Sequence, residues 1–307
     1  MQILVLGAGA VGGYFGGRMV AAGSDVTFLV RPRRAVQLRN GLKIESPRGD
    51  ITVSVKTLTE EDVDGSFDMI ILSCKSYGLT SALDAIAPHV SDGTFILPLL
   101  NGYAHIEQLE NRFPRAIVLG GTAGIVATLT EDGTVRQMHP NQLIVFGPRH
   151  GSSERQEALE TLVSEMRRAD IDAALSTNVD QAMWEKWTFL ATLAAATCLM
   201  RGSVGEILAT EHGETVISGL FDECNSTAGA EGYPPGTSRA QDYRRLLFDR
   251  TSTITASMLR DMHAGNPTEA DHILGDMISR AKKHGVDTPL LETAYTHLQV
   301  YENHRHS

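Results

Sequence analysis

The pattern of apolar and polar positions changes character about halfway along the chain. In the first half, short apolar runs with strand character alternate with stretches in which apolar residues recur at helical spacing. The strand-like runs cover residues 2–6, 25–30, 69–73, 94–99, 116–119 and 142–146. Such alternation is typical of βαβ units, so it predicts an α/β fold with a doubly wound parallel sheet.

Two segments interrupt this alternation. Residues 41–59, GLKIESPRGDITVSVKTLT, contain two β-rich runs around a Pro-Arg-Gly turn, which predicts a hairpin. Residues 131–147, EDGTVRQMHPNQLIVFG, predict a second antiparallel excursion. From about Asn178 onward the strand pattern disappears and long helical patterns replace it. We therefore expect a Rossmann-type domain over 1–177, followed by an all-α domain over 178–307.

Composition and charge limit the classes of partner. The 307 residues are 42% hydrophobic and 21% charged, a normal globular composition with room for two cores. A net charge of −10 disfavours nucleic acid and anionic membranes, because both require a basic face. The apolar run at the start lacks a basic flank, so we expect no signal peptide, and the apolar stretch at 189–200 is too short to span a membrane.

The cysteines and histidines give no indication of a metal or a disulfide framework. Cys74, Cys198 and Cys224 are odd in number and widely spaced, which fits a reducing cytoplasm. His304 and His306 stand near the C-terminus, where two histidines are usually solvated. We therefore expect a cytoplasmic protein without a metal site.

A glycine-rich loop follows the first strand. The loop is Gly7-Ala8-Gly9-Ala10-Val11-Gly12, and a helical pattern over 14–22 and a second strand come after it. A helix N-terminus offers unpaired N–H groups, and a loop without Cβ atoms lets a pyrophosphate approach the backbone. In this strand-loop-helix-strand context the motif predicts dinucleotide binding, the alternative being a structural glycine turn.

The residues after the second strand discriminate between cofactors. A carboxylate there would bind the ribose 2′-hydroxyl of NAD, whereas arginine accommodates the 2′-phosphate of NADP. The chain has Arg31 at this position, with Arg33 and Arg34 close by and no carboxylate between them. The cluster predicts NADPH as the cofactor; the alternative is a solvated charged loop.

Polar residues follow two later strands, and here the chain resembles a known family. Lys75 comes after the strand in MIILSCKS, and Asn101 after the strand in ILPLLNGYAHIEQL. Together with the glycine loop, Arg31, MWEK at 183–186 and ASMLRDMHAGNPTEADHILGDMISRAKKHGVDTP at 256–289, these positions resemble the ketopantoate reductase (2-dehydropantoate 2-reductase) family. The resemblance covers essentially the whole chain.

The resemblance implies a reaction and the residues that perform it. The family reduces ketopantoate, a 2-oxo acid, to pantoate with NADPH, in pantothenate biosynthesis, and a homodimer is compatible with it. Lys186 matches the catalytic lysine and Glu269 its partner glutamate. Asn101 and Ser257 match residues that contact the substrate, and Asn101, Lys75 and Glu269 are expected along the cofactor. Burial that lowers the pKa of the lysine would let it donate a proton to the carbonyl oxygen, as Glu269 stays ionised at a helix N-terminus.

Each of these residues also has a purely structural interpretation. Asn101-Gly102 is a plausible turn, Ser257 an ordinary surface serine and Lys186 a surface lysine at the polar start of a helix. The segment 266–269, Asn-Pro-Thr-Glu, is also a plausible capping box with proline at the first helical position.

The sequence departs from the family pattern in one place. The family has asparagines four and eight residues after the catalytic lysine, where this chain has Leu190 and Ala194. Each buried hydrogen bond lost to a substrate hydroxyl would cost about 1–3 kcal/mol of binding. The departure therefore raises the hypothesis of a different, less polar 2-oxo acid as substrate.

Two further functions share the same two-domain plan. One is a dehydrogenase of the 6-phosphogluconate or opine type, against which the segment 257–269 argues. The other is a catalytically silent NADPH sensor, against which the presence of both Lys186 and Glu269 argues.

Overall fold

The computed structural model describes residues 1–62, 65–149 and 155–305. The chain forms two compact units, and both are built from more than one segment. The first unit comprises Met1–Leu100 and His105–Val179, and the second comprises Asn101–Ala104 and Asp180–Ser307. A four-residue segment inside the first half of the sequence thus packs with the second unit.

The first unit is organised around one mixed sheet of ten strands. The strands are β1 (Gln2–Leu6), β2 (Asp25–Leu29), β3 (Leu42–Glu45), β4 (Ile51–Val53), β5 (Lys56–Leu58), β6 (Met69–Leu72), β7 (Phe95–Pro98), β8 (Ile117–Leu129), β9 (Val135–Pro148) and β10 (Ala173–Leu175). Their order is β4-β3-β9-β8-β7-β6-β1-β2-β5, with β10 beside β9. The six strands from β8 to β5 in this order are parallel, whereas β9 is antiparallel to β8 and β4 to β3.

The predicted strands and both predicted antiparallel excursions are present. The hairpin around Pro47 is the β3–β4 pair, and the second excursion is the long β8–β9 pair. The apolar pattern predicted a strand only over residues 116–119 and so underestimated the length of β8. The residues after Leu119 are mostly glycine, alanine and threonine and carry no continuous apolar run. It also missed β10, which has only three residues.

Helices and short turns connect these strands. They are α1 (Ala10–Ala21), α2 (Pro32–Leu38), α3 (Leu79–Ile86), α4 (Ala104–Arg112) and α5 (Gln156–Arg168), with 3₁₀ turns at Ser76–Gly78 and Ala87–His89. The first helix begins four residues before the predicted start at 14, because its glycines are packing positions with no periodic apolar signal. A Cβ on Gly16 would lie 2.7 Å from the Phe28 ring, so the helix lies directly on the sheet.

The regular elements described in the second unit are helical, as the sequence predicts. They are α6 (Val179–Met200), α7 (Val204–Leu208), α8 (Gly213–Ala230), α9 (Ser238–Leu247), α10 (Ser257–His263), α11 (Asp276–Lys283) and α12 (Pro289–Arg305). A π-helical turn, Asp271–Gly275, leads into α11. None of the helices described is long and apolar enough to cross a membrane.

The capping box predicted at 266–269 is wrong. The backbone N–H and the hydroxyl of Thr268 both donate to Glu302 Oε1, at 2.6 and 2.7 Å, and Glu302 lies on α12. Helical structure starts only at Ala270, directly before the π-helical turn. Glu302, 34 residues further along the chain, binds Thr268 in place of a local cap. A local sequence motif cannot reveal such a distant partner.

Candidate active site

The glycine loop is closed on its protein side and open on the other. Gly7 has a φ of +90°, and a Cβ on Gly12 would lie 2.1 Å from Ser73 Oγ and 2.3 Å from the Gly7 carbonyl oxygen. A Cβ on Gly9, the N-cap of α1, would meet no atom within 4 Å. The loop is therefore held tightly against the sheet, while the space at the helix N-terminus can admit a phosphate group.

This loop borders a cavity of about 560 Å³ within the first unit. Arg31 and Arg33, both exposed, line the cavity with Gly7, Ala8 and Gly9. The other three residues of the motif do not line the cavity. They form the first turn of α1 and are Ala10, Val11 and Gly12.

The three arginines after β2 do not have the same role. Arg34 donates from Nε to the Ala8 carbonyl at 3.0 Å and from Nη1 to the Gly133 carbonyl at 2.9 Å, so it ties the glycine loop to the β8–β9 turn. Arg31 is the N-cap residue of α2. Within the described residues its guanidinium forms no hydrogen bond or ion pair. Two guanidinium groups beside an open glycine loop fit a dinucleotide with an extra phosphate.

Lys75 enters the same cavity from the neighbouring strand. It is half-buried and caps the short 3₁₀ turn after β6. Cys74, the residue before it, also lines the cavity. Both lie at the carboxyl edge of the parallel strands, where open α/β sheets bind their ligands.

A separate polar cluster lies in the second unit. Lys186, on α6, donates from Nζ to Asn101 Oδ1 at 3.0 Å. Burial lowers the pKa of Lys186 to about 8, and the negative charge of Glu269 opposes that shift. Glu269 is itself buried, with 8% of its surface exposed. The structure thus brings together three of the predicted site residues around an ammonium group that gives up its proton easily.

Aromatic packing positions Asn101. Two residues further on, the Tyr103 hydroxyl donates to Asp180 Oδ1 at 2.7 Å, and its ring centroid lies 5.4 Å from that of Trp184. Gly102, between Asn101 and Tyr103, adopts a φ of +82°. Asn101-Gly102 therefore forms a tight bend, in agreement with its structural interpretation. No motif of the sequence indicated Tyr103, although it is an aromatic residue directly after Asn-Gly.

Ser257 stands apart from this cluster. It is the first residue of α10, it is exposed, and its hydroxyl makes no recorded hydrogen bond to any described residue. The residue before it, Ala256, donates its N–H to Thr197 Oγ1 at 3.2 Å. Thr197 lies eleven residues after Lys186 on α6, about 16 Å along the helix axis.

Leu190 and Ala194 occupy the stretch of α6 between these two points. They lie one and two turns after Lys186 on the same face of the helix. Leu190 is half-buried and Ala194 is 3% exposed. The helix face that continues from the lysine is therefore apolar.

Metal-binding side chains do not gather in the described part of the chain. No group of three or more histidine, cysteine, aspartate or glutamate side chains there could hold an ion. His304 lies exposed on α12, and His306 falls outside the described residues.

The fold and the glycine loop define a dinucleotide-binding oxidoreductase, and the comparisons with known proteins give its family. The model of "Ketopantoate reductase PanE/ApbA" matches residues 3–151, and that of its C-terminal part matches residues 178–302. The chain belongs to the ketopantoate reductase family. It is an NADP-dependent oxidoreductase.

Individual relatives extend over the whole chain. The uncharacterized oxidoreductase YkpB of Bacillus subtilis is 36% identical over 98% of this chain and 99% of its own. The structure of 2-dehydropantoate 2-reductase from Geobacter metallireducens is 27% identical, with a TM-score of 0.87 over 98% of this chain and 99% of that one. A ternary structure of D-mandelate dehydrogenase with NADH and anilino(oxo)acetate has a TM-score of 0.87 over 100% of both chains at 21% identity, which shows the shared fold.

Proposed function

We propose that the protein reduces a 2-oxo acid to the 2-hydroxy acid with NADPH, and that ketopantoate is the first candidate substrate. The observation that carries the proposal is the bond from Lys186 Nζ to Asn101 Oδ1, at a lysine whose pKa is about 8. A lysine whose pKa lies near neutrality is suited to donate a proton during carbonyl reduction. Membership of the family supports the same reaction.

The chemistry divides between the cofactor and the protein. When bound, NADPH supplies the hydride for the carbonyl carbon. Lys186 supplies the proton for the carbonyl oxygen and is reprotonated by water after turnover. Asn101 accepts one ammonium hydrogen through its side-chain oxygen, which fixes the orientation of the ammonium group. Glu269 keeps the ammonium charged at neutral pH and would hold the substrate hydroxyl or the cofactor ribose.

The first unit would hold the cofactor through its own residues. The backbone of Gly7, Ala8 and Gly9 and the N-terminus of α1 would bind the pyrophosphate. Arg31 would pair with the 2′-phosphate, and Lys75 would lie along the cofactor. Asn101, predicted along the cofactor, and Ser257, predicted at the substrate, keep these roles as part of the proposal.

A less polar 2-oxo acid is the second candidate substrate. The helix face that continues from Lys186 carries Leu190 and Ala194, which cannot pair with a substrate hydroxyl. A solved protein of the same fold, D-mandelate dehydrogenase, holds anilino(oxo)acetate, an aromatic oxo acid, in its ternary structure. Phenylglyoxylate is therefore the natural competitor of ketopantoate in an assay.

The steady-state rate of NADPH oxidation tests both candidates. Ketopantoate and phenylglyoxylate are compared for the wild type, Lys186→Ala and the control Lys283→Ala, an exposed lysine on α11. Turnover that depends on Lys186 supports the reaction, and the better substrate identifies the acid class. NADPH binding without turnover of any 2-oxo acid would contradict the reaction and favour the silent sensor.

A second variant tests the specificity argument directly. Leu190→Asn restores a polar group one turn after Lys186. We expect it to raise kcat/KM for ketopantoate by about tenfold and to lower that for phenylglyoxylate. An unchanged ratio would show that Leu190 does not contact the substrate.

Assembly and location stay predictions. A homodimer is checked by sedimentation of the purified chain at several concentrations. A cytoplasmic location is checked by fractionation of cells that express it with a C-terminal tag.

A further inference from the structure

One histidine of the second unit lies beside the candidate site without a role in the reaction. His272 is three residues after Glu269, within the π-helical turn Asp271–Gly275. π-Helical turns are frequent at functional sites. The imidazole is half-buried.

The imidazole packs against the bend that carries Asn101. A Cβ on Gly102 would lie 2.9 Å from His272 Cδ2 and 3.1 Å from Nε2, so the ring occupies the side of the bend that glycine leaves free. The ring also hydrogen-bonds the backbone of Asn101, and this bond raises its pKa. A bond that favours the protonated ring is one in which the ring donates and the carbonyl accepts.

Asn101 is therefore held by two hydrogen bonds, one to its backbone and one to its side chain. Its backbone is bound by His272 and its side-chain oxygen accepts from Lys186 Nζ at 3.0 Å. We propose that His272 is a positioning residue of this site: its imidazole holds the Asn101 backbone so that the amide oxygen stays in place for Lys186. The inference rests on the proposed function, because it assigns His272 to the reaction of Lys186.

The charges around His272 agree with a neutral ring. Burial lowers its pKa, and the negative charges of Glu269 and Asp276 oppose that effect. Lys186, on α6, donates to the side chain of the same asparagine whose backbone the ring bonds. A neutral imidazole can donate one hydrogen bond without adding a positive charge beside the catalytic ammonium.

Three variants separate positioning from packing. His272→Phe fills the space without a donor, His272→Gln keeps a donor, and the control His263→Phe changes an exposed histidine on α10. We expect His272→Phe to lower kcat roughly three- to tenfold with an unchanged Kd for NADPH, His272→Gln to recover most of the loss, and the control to match wild type. The assay uses whichever of ketopantoate and phenylglyoxylate the wild type turns over.

A double-mutant cycle tests the route through Asn101. In an Asn101→Ala background the bond between Lys186 and the Asn101 side chain is lost, so His272→Phe should have no further effect on kcat. An equal loss in both backgrounds, or a His272→Gln variant as slow as His272→Phe, would overturn the inference. Should His272→Phe fail to fold, His272→Met against His272→Gln makes the same comparison.

The outcome is distinguishable from failure of the proposed function. If Lys186→Ala keeps full turnover, the proposed reaction is wrong whatever His272 does. If Lys186→Ala is inactive and His272→Phe equals wild type in kcat, only the positioning role is wrong.

Discussion

The charge of Glu269 should set the pH range in which Lys186 works. Burial brings the pKa of the lysine down to about 8, and Glu269 is the group that limits this decrease. Glu269→Gln removes the charge and keeps the size of the side chain. We therefore expect the pKa of Lys186 to fall further in the variant.

The size of the effect follows from the loss of one opposite charge. A neighbouring opposite charge shifts a pKa by about one to three units, and the lower end applies because Lys186 is only half-buried. At this lower end, the protonated fraction of the lysine at pH 7.5 would fall from roughly three quarters to one quarter. As the proton donor, the lysine is active below its pKa, so kcat for reduction should fall about threefold at pH 7.5 and stay nearly normal at pH 6.

The assay measures kcat from pH 5.5 to 9.5 at saturating substrate, with 4-deuterated NADPH to confirm that hydride transfer limits the rate. The reverse reaction gives an internal check, because oxidation needs the neutral lysine and should become faster in the variant at pH 7.5. Glu302→Gln is the matched control, a carboxylate bound to Thr268 that does not contribute to the lysine pKa. A pH profile that keeps its break near 8 in Glu269→Gln would refute the reasoning.

Further predictions concern the cofactor half of the chain. Gly12→Ala places a Cβ 2.1 Å from a side-chain oxygen and should destabilise the fold by about 1–3 kcal/mol, visible as a lower Tm by calorimetry. Gly9→Ala meets no protein atom within 4 Å, so its Tm should be unchanged while the Kd for NADPH rises about tenfold in a fluorescence titration; an unchanged Kd would place the phosphates elsewhere. Arg31→Ala should raise the Kd for NADPH about tenfold and leave that for NADH alone, whereas Arg39→Ala, exposed at the end of α2 and outside the cavity, should change neither.

Local features explain how much the sequence could predict. The glycine loop and Arg31 lie within one strand-helix-strand unit, so their cavity follows from about thirty consecutive residues. The bond from Lys186 to Asn101 joins positions 85 residues apart, and only the family resemblance brought them together. His272 had no motif at all, because its role depends on the bend at Gly102 and on a π-helical turn that spacing cannot reveal.

The four-residue segment Asn101–Ala104 has a consequence for how the protein can be divided. The family models separate the chain near residue 178, and a fragment that begins there would contain Lys186 but not Asn101 or Tyr103. Such a fragment would lack the Asn101 oxygen that accepts from Lys186 and would expose the face of Trp184 that Tyr103 covers. The helical half is therefore a discontinuous unit, completed by the segment Asn101–Ala104 of the other half. An insertion or an exchange of modules at the apparent boundary would leave this unit without Asn101.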